Sequence, residues 1–260
     1  MSDTQTILYN VADHVATITL NRPDKLNALD IGMLDTLEDV IAQIDRDPEV
    51  RVVILRAAGD RAFCAGADIN AWAELKPLGM WQTWIRRGHQ IFGRLSDLRQ
   101  PSICAIEAIA FGGGLELALS CDLRVASDTA AFALPEVTIA TVPGWAGTQR
   151  LPQIIGEARA KQMVLTGQRI DAQTALAWGL INECLVSDRV AKRVTELAKQ
   201  IAANAPISVQ TAKQLVNAGM GRDTGASLEA LAGAMTGFTE DALEGRAAWK
   251  ERRPPDFKGK

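Results

Sequence analysis

Histidine is nearly absent from this chain of 260 residues, which holds only His14 and His89. Neither stands in a Ser-His-Asp or metal-ligand spacing, and no motif places a base beside Ser102 or Ser120, so a serine hydrolase or a histidine-built metal centre is not the expected chemistry. Cysteine is sparse too. Cys64, Cys104, Cys121 and Cys184 are scattered through apolar surroundings without a Cys-x-x-Cys pair, which points to buried thiols in a reducing compartment and away from zinc or a disulfide framework. There is no excess of positive charge: the net charge of -3 gives no reason to expect nucleic acid or an anionic membrane as partner. No apolar run is long enough to span a bilayer, and the opening MSDTQTILYN has neither the basic residues and apolar core of a signal peptide nor the arginines of a transit peptide. A cytoplasmic location is the expectation. Phosphate-binding signatures are missing as well. Gly112 and Gly114 fit the first two glycines of a dinucleotide fingerprint, but Leu117 stands at the third and Phe132 where an acid is needed, and no Gly-Lys-Ser/Thr follows.

What is present suits an α/β protein with one large core, since 47% of residues are hydrophobic and 23% charged. Residues 7–9 and 15–20 alternate around a polar turn and predict a β-hairpin. Asp30 is a candidate helix cap before Leu34, Leu37, Val40, Ile41 and Ile44, which recur at helical spacing; the apolar run 50–56 that follows predicts a buried strand in a β-α-β arrangement. The pattern predicts one helix over 69–98, strands at 123–126, 131–134 and 180–186, and a glycine-rich loop over 141–151. Helices are predicted over 157–165, 172–178, 189–203, 208–218 and 238–253, so the C-terminal part is mainly helical.

The centre of this organisation is the stretch 102–122, SICAIEAIAFGGGLELALSCD. It reads as a buried strand, a sharp turn and a helix start. Glycines there let amide groups approach a ligand, the helix N-terminus favours negative charge, and Glu116 lies on the first turn. Tight packing with a favourable dipole contact explains the same residues equally well. A second loop of small residues, Ala65, Gly66 and Ala67, follows the strand at 50–56, so two strand ends offer amide donors that could converge on one atom. Glu136 follows Glu116 at a separation sufficient for a helix, a strand and a return to the same edge, which would set two carboxylates face to face.

The blocks NRPDKLNAL, FCAGADI, AIAFGGGLELALSCD, ALPEVTIATVPGWAGTQRL, TGQRIDAQTALAWGLI and KERRPPDFKGK, in this order and spacing, resemble those of the crotonase superfamily, the enoyl-CoA hydratase/isomerase family. The resemblance covers nearly the whole chain. It implies a spiral of β-β-α turns in residues 1–195 and a helical trimerisation region in 196–260, with assembly to a homotrimer or homohexamer. It also implies an acyl-CoA thioester as ligand, with no cofactor beyond its coenzyme A moiety and no metal. Carried over residue by residue, the amides of Ala67 and Gly113 bind the thioester oxygen, Glu116 and Glu136 are the catalytic pair, and the Gly144 amide points at the catalytic water. Lys25, Leu26, Ala65, Asp68 and Ile69 fall where relatives contact CoA, and Phe257 and Lys260 match the tail that can reach a neighbouring subunit's CoA.

The paired glutamates resemble the hydratases, whereas many isomerases keep only one. The implied reaction is addition of water to a trans-2-enoyl-CoA, or its reversal. A carnitinyl-type dehydratase or a Δ3,Δ2-enoyl-CoA isomerase is the nearest alternative, and a non-catalytic scaffold is the reading of a different class. One residue departs from the resemblance. Trp145 stands where many hydratases have a small residue, and its ring either packs behind the loop or reshapes the acyl pocket.

Overall fold

A computed structural model describes residues 5–220 and 224–260. The chain starts with the expected hairpin, β1 (Ile7–Ala12) and β2 (Val15–Leu20), paired antiparallel. Asp30 caps α1 (Ile31–Arg46), its carboxylate accepting the Met33 N–H at 2.9 Å. That helix buries Met33, Leu34, Leu37, Val40, Ile41 and Ile44 on one stripe. Each such side chain is worth about 1.5–3 kcal/mol of transfer free energy as an upper bound, so the stripe fixes the helix on the sheet.

From here the chain winds in repeated turns. In each, a long strand enters a large sheet and a short strand enters a small one. The first turn is β3 (Val52–Ala57) and β4 (Ala62–Cys64); the second is β5 (Ser102–Ile106) and β6 (Ile109–Phe111); the third is β7 (Leu123–Ser127) and β8 (Ala131–Ala133). The four-stranded sheet is completed by β9 (Ile170–Asp171) in the order β4-β6-β8-β9, and the six-stranded one by β10 (Glu183–Leu185) in the order β1-β2-β3-β5-β7-β10. Pairing is parallel from β2 through β10 and along β4, β6 and β8. The central stretch 102–111 is therefore two strands in two sheets, where the apolar run alone reads as one.

The helical pattern over 69–98 is broken into α2 (Ile69–Trp72), α3 (Pro77–Gly79), a π-helical turn at Met80–Ile85 and α4 (Arg86–Asp97). Pro77, which cannot continue the preceding helix, opens the second piece. Next come α5 (Gly113–Ala118), α6 (Gly147–Ile155), α7 (Glu157–Thr166) and α8 (Ala172–Trp178). The expected loop at 141–151 thus gives way to α6 at Gly147. One face of the large sheet, Val52, Ile54, Ile103, Ala105 and Val125, packs on Val190, Val194 and Ala198 of α9 (Ser187–Ala202), which runs unbroken across position 195. The last helices are α10 (Pro206–Gly219), α11 (Thr224–Gly237) and α12 (Glu240–Glu251), the last capped by Thr239.

Candidate active site

Three neighbouring parallel strands of the small sheet end side by side, and each delivers one functional group. After β4 comes the loop 65–68 with Ala67; after β6 comes Gly112 and the start of α5 with Gly113; after β8 come Pro135 and Glu136. Adjacent strands are about 4.8 Å apart, so groups a few residues past their ends meet around one point. A cavity of about 270 Å³ lies there, lined among others by Ala65, Ala67, Ile69, Gly113, Glu116, Glu136 and Gly144.

The two candidate donors are close. A Cβ built on Gly113 would lie 3.4 Å from the Ala67 nitrogen, and one built on Gly66 would lie 3.4 Å from the Gly113 nitrogen. No described protein atom accepts either N–H, and both residues line the cavity. Left-handed backbone at Gly66 (φ +111°) and Gly112 (φ +51°) turns the chain so that the following amides face inward.

The loop carrying Ala67 is braced by the NRPDKLNALD segment. The Leu26 carbonyl accepts the Ala65 N–H at 3.0 Å, and Leu29 forms a parallel bridge with Ala67. Arg22 donates to the Ala28 carbonyl at 3.0 Å and to the Asp68 carboxylate at 2.7 Å. Buried Asn27 donates to the Ala58 and Ala62 carbonyls, both at 2.9 Å. Residue-level reading of the sequence missed Arg22 and Asn27, because their roles depend on partners 31 to 46 positions away. The Arg22 guanidinium, ahead of all other causes, holds the Asp68 carboxyl below its ordinary value.

Leu26 therefore braces this loop and Asp68 is part of it, and neither they nor Lys25 line the cavity. Phe257 and Lys260 stand farther off: the Phe257 carbonyl accepts from Arg51, which precedes β3, while the loop 65–68 lies beyond that strand's other end. The Lys260 carbonyl accepts the Asp241 N–H. The fold of one chain does not bring these two tail residues to its own cavity.

Glu116 is nearly fully buried, and its Oε1 accepts the N–H groups of Trp145 at 2.8 Å and Gly147 at 2.7 Å. Burial pushes its carboxyl up to about 7; the neighbouring Glu136 adds to the rise, while the Gly147 and Trp145 amides oppose it. Burial also raises the Glu136 carboxyl, whose Oε2 has no described hydrogen-bond partner. Glu136 Oε1 lies 3.1 Å from where a Cβ on Gly112 would sit, so its carboxyl faces the Gly112–Gly113 turn. The resemblance implied the Gly144 amide, in the loop that precedes α6, as the one directed at the catalytic water, and Gly144 does line the cavity. The amides that hold Glu116 are those of Trp145 and Gly147, which residue types alone do not reveal.

A Gly147→Ala variant tests this clamp. Its Cβ would stand 2.8 Å from Glu116 Oε1, forcing the carboxylate to move by a few tenths of an ångström. Since a misplacement of about 1 Å costs about 10²-fold, turnover should fall roughly tenfold with little change in KM. Unaltered kcat would show that the clamp is not needed.

Trp145 resolves the departure noted in the sequence. Its ring is 2% exposed and wedged between two glycines: a Cβ on Gly88 would meet its Nε1 at 2.3 Å, and one on Gly113 its Cζ3 at 2.6 Å. It packs tilted on Trp84 and edge-on to Phe92, with centroids 5.3 and 5.2 Å away, and donates from Nε1 to the Trp84 carbonyl at 3.3 Å. The indole both packs behind the loop and forms cavity wall.

The sequence matches the Enoyl-CoA hydratase/isomerase family over residues 10–260. A short-chain-enoyl-CoA hydratase from Clostridium acetobutylicum is 40% identical over 241 residues, which cover 92% of each chain. An (E)-benzylidenesuccinyl-CoA hydratase from Thauera aromatica is 39% identical over 255 residues, 97% of this chain and 99% of that one. The crystal structure of an enoyl-CoA hydratase from Bacillus anthracis superimposes with a TM-score of 0.95 at 40% identity, covering 98% of this chain and 100% of the other. The fold is the crotonase fold, and the protein is an enzyme of that superfamily. Specifically, the chain belongs to the enoyl-CoA hydratase/isomerase family.

Proposed function

We propose that this protein is a hydro-lyase that adds water across the double bond of a trans-2-enoyl-CoA, or removes it from the 3-hydroxyacyl-CoA. The observation that carries this reading is the meeting of two unpaired amides with the buried carboxyl of Glu116 and the half-buried one of Glu136 in one cavity. The amides of Ala67 and Gly113 hold the thioester oxygen and stabilise the negative charge that develops on it as Cβ is attacked. Two N–H bonds favour the ionised form of Glu116, so it takes a proton from water as the oxygen bonds to Cβ. Glu136 has no side-chain donor holding it ionised, and we assign it the transfer of a proton to Cα. One proton is taken and one given, so the pair exchanges roles for the reverse reaction. The chemistry uses no cofactor beyond the coenzyme A of the substrate.

Lys25, Leu26, Ala65, Asp68 and Ile69 form the approach for the CoA chain in this reading. Phe257 and Lys260 serve the site of a second copy. Assembly to a trimer or hexamer through the helical region 196–260 is supported by Phe238 and Trp249, which are 91% and 82% exposed in the single chain. No described helix is long and apolar enough to cross a membrane, and the scattered reduced cysteines suit a cytoplasmic enzyme.

The test is to mix the purified protein with crotonyl-CoA and follow loss of the conjugated thioester absorbance, with the product checked for water uptake. Formation of 3-hydroxybutyryl-CoA is the expected result. Double-bond migration in a 3-enoyl-CoA without water uptake would select the isomerase instead, and silence across enoyl chain lengths would remove the hydratase reading.

A further inference from the structure

We infer that the acyl pocket selects an uncharged hydrocarbon acyl group and rejects acyl-CoAs that carry a free carboxylate. This deepens the reading above and rests on it for the placement of the thioester. Membership of the family leaves the acyl group open, so the choice must come from the wall of this cavity.

Beyond the thioester end, the wall is apolar: Trp72, Met80, Trp84, Ile85, Ile139 and Val142. It grades from exposed at Val142 and Ile139 to buried at Trp84 and Trp145, so the inner end is closed by two indoles. Among the described residues the only charged ones lining it are Glu116 and Glu136, and no lysine, arginine or histidine does so. Arg86, next to Ile85, is exposed and lies outside the cavity lining, and three further arginines nearby are engaged elsewhere. Arg22 pairs with Asp68 and Asp30, Arg87 with Asp35 and Glu38, and Arg150 donates to the carbonyls of Trp145 and Phe92.

A second carboxylate in this space loses its hydration, gains no cation, meets only the neutral hydroxyls of Thr138 and Thr141 and the Trp72 indole as side-chain donors, and sits near two acidic groups. Desolvation without a partner and like-charge repulsion act in the same direction. A methyl-terminated chain of equal length loses nothing polar and gains burial against the indoles.

Binding of saturated thioesters isolates this selectivity from catalysis, because they cannot be hydrated. Isothermal titration calorimetry with valeryl-CoA and glutaryl-CoA compares five-carbon acyl groups that differ only in a terminal methyl or carboxylate. Glutaryl-CoA should bind at least 30-fold more weakly at pH 8. Equal or tighter binding of glutaryl-CoA overturns the inference and leaves the hydratase reading untouched, just as a failed crotonyl-CoA assay leaves this comparison intact. A Val142→Lys variant, changed at the exposed rim, supplies the missing cation. It should narrow the ratio at least fivefold; an unchanged ratio would assign the discrimination to shape and overturn the charge argument.

Discussion

Glu116→Gln is expected to lower hydration kcat by about 10²- to 10⁴-fold and, at the same time, to make the protein more stable above neutral pH. Glutamine can accept the same two N–H bonds from Trp145 and Gly147, so the loop geometry survives while proton transfer is lost. The stability gain follows from burial. The Glu116 carboxyl titrates at about 7 in the folded chain against an ordinary value of 4.5. Below pH 4.5 it is neutral in both folded and unfolded chains and has no effect. As pH rises from there to about 7, the unfolded chain gains its charge freely while the folded one resists, so folding loses roughly 3 kcal/mol. The variant should therefore melt at a higher temperature than the parent at pH 8, with the gap closing toward pH 4.5. In the parent, kcat/KM should climb through the region of pH 7 as Glu116 ionises. Parallel melting curves for both proteins at every pH would mean that Glu116 titrates normally and is not held under strain.

Gly113→Pro should cost about 10²- to 10³-fold in kcat, the usual effect of losing one oxyanion donor. Gly113 is the first residue of α5, where proline is compatible with the helix and simply removes the N–H. Both proline and alanine put a Cβ within 2.6 Å of the Trp145 ring, and overpacking of this kind costs about 1–3 kcal/mol. Gly113→Ala keeps the amide and so measures the clash alone. The donor assignment requires the proline variant to be much slower than the alanine variant at equal folded fraction, checked by circular dichroism and urea midpoints. Equal rates would place the whole loss in packing.

How far the sequence announced this arrangement depended on range and length. The hairpin, α1 with its Asp30 cap, and α8 were legible because caps and apolar periodicity act over a few residues. Of the small sheet only β8 was read, as the strand at 131–134; β4, β6 and β9 are two or three residues long, too short for any alternation to register. The helix at 224–237 also went unread, its many small residues giving no apolar stripe. At the site, the two donor loops and the glutamate pair stood out by residue type, and the fold brings Ala67, Gly113, Glu116 and Glu136 to one cavity. The brace by Arg22 and Asn27 and the clamp on Glu116 were hidden because they are contacts between distant segments, and amide donors carry no residue signature.

The indole of Trp145 between Gly88 and Gly113 ties three positions from separate elements into one heritable unit. A side chain at 88 or 113 collides with the ring, so tryptophan at 145 is accommodated best where both positions are glycine. Once the ring is in place, replacing either glycine costs stability. Exchange of this loop with that of a relative would therefore succeed or fail on the residue at 88, on a helix that a loop graft leaves behind.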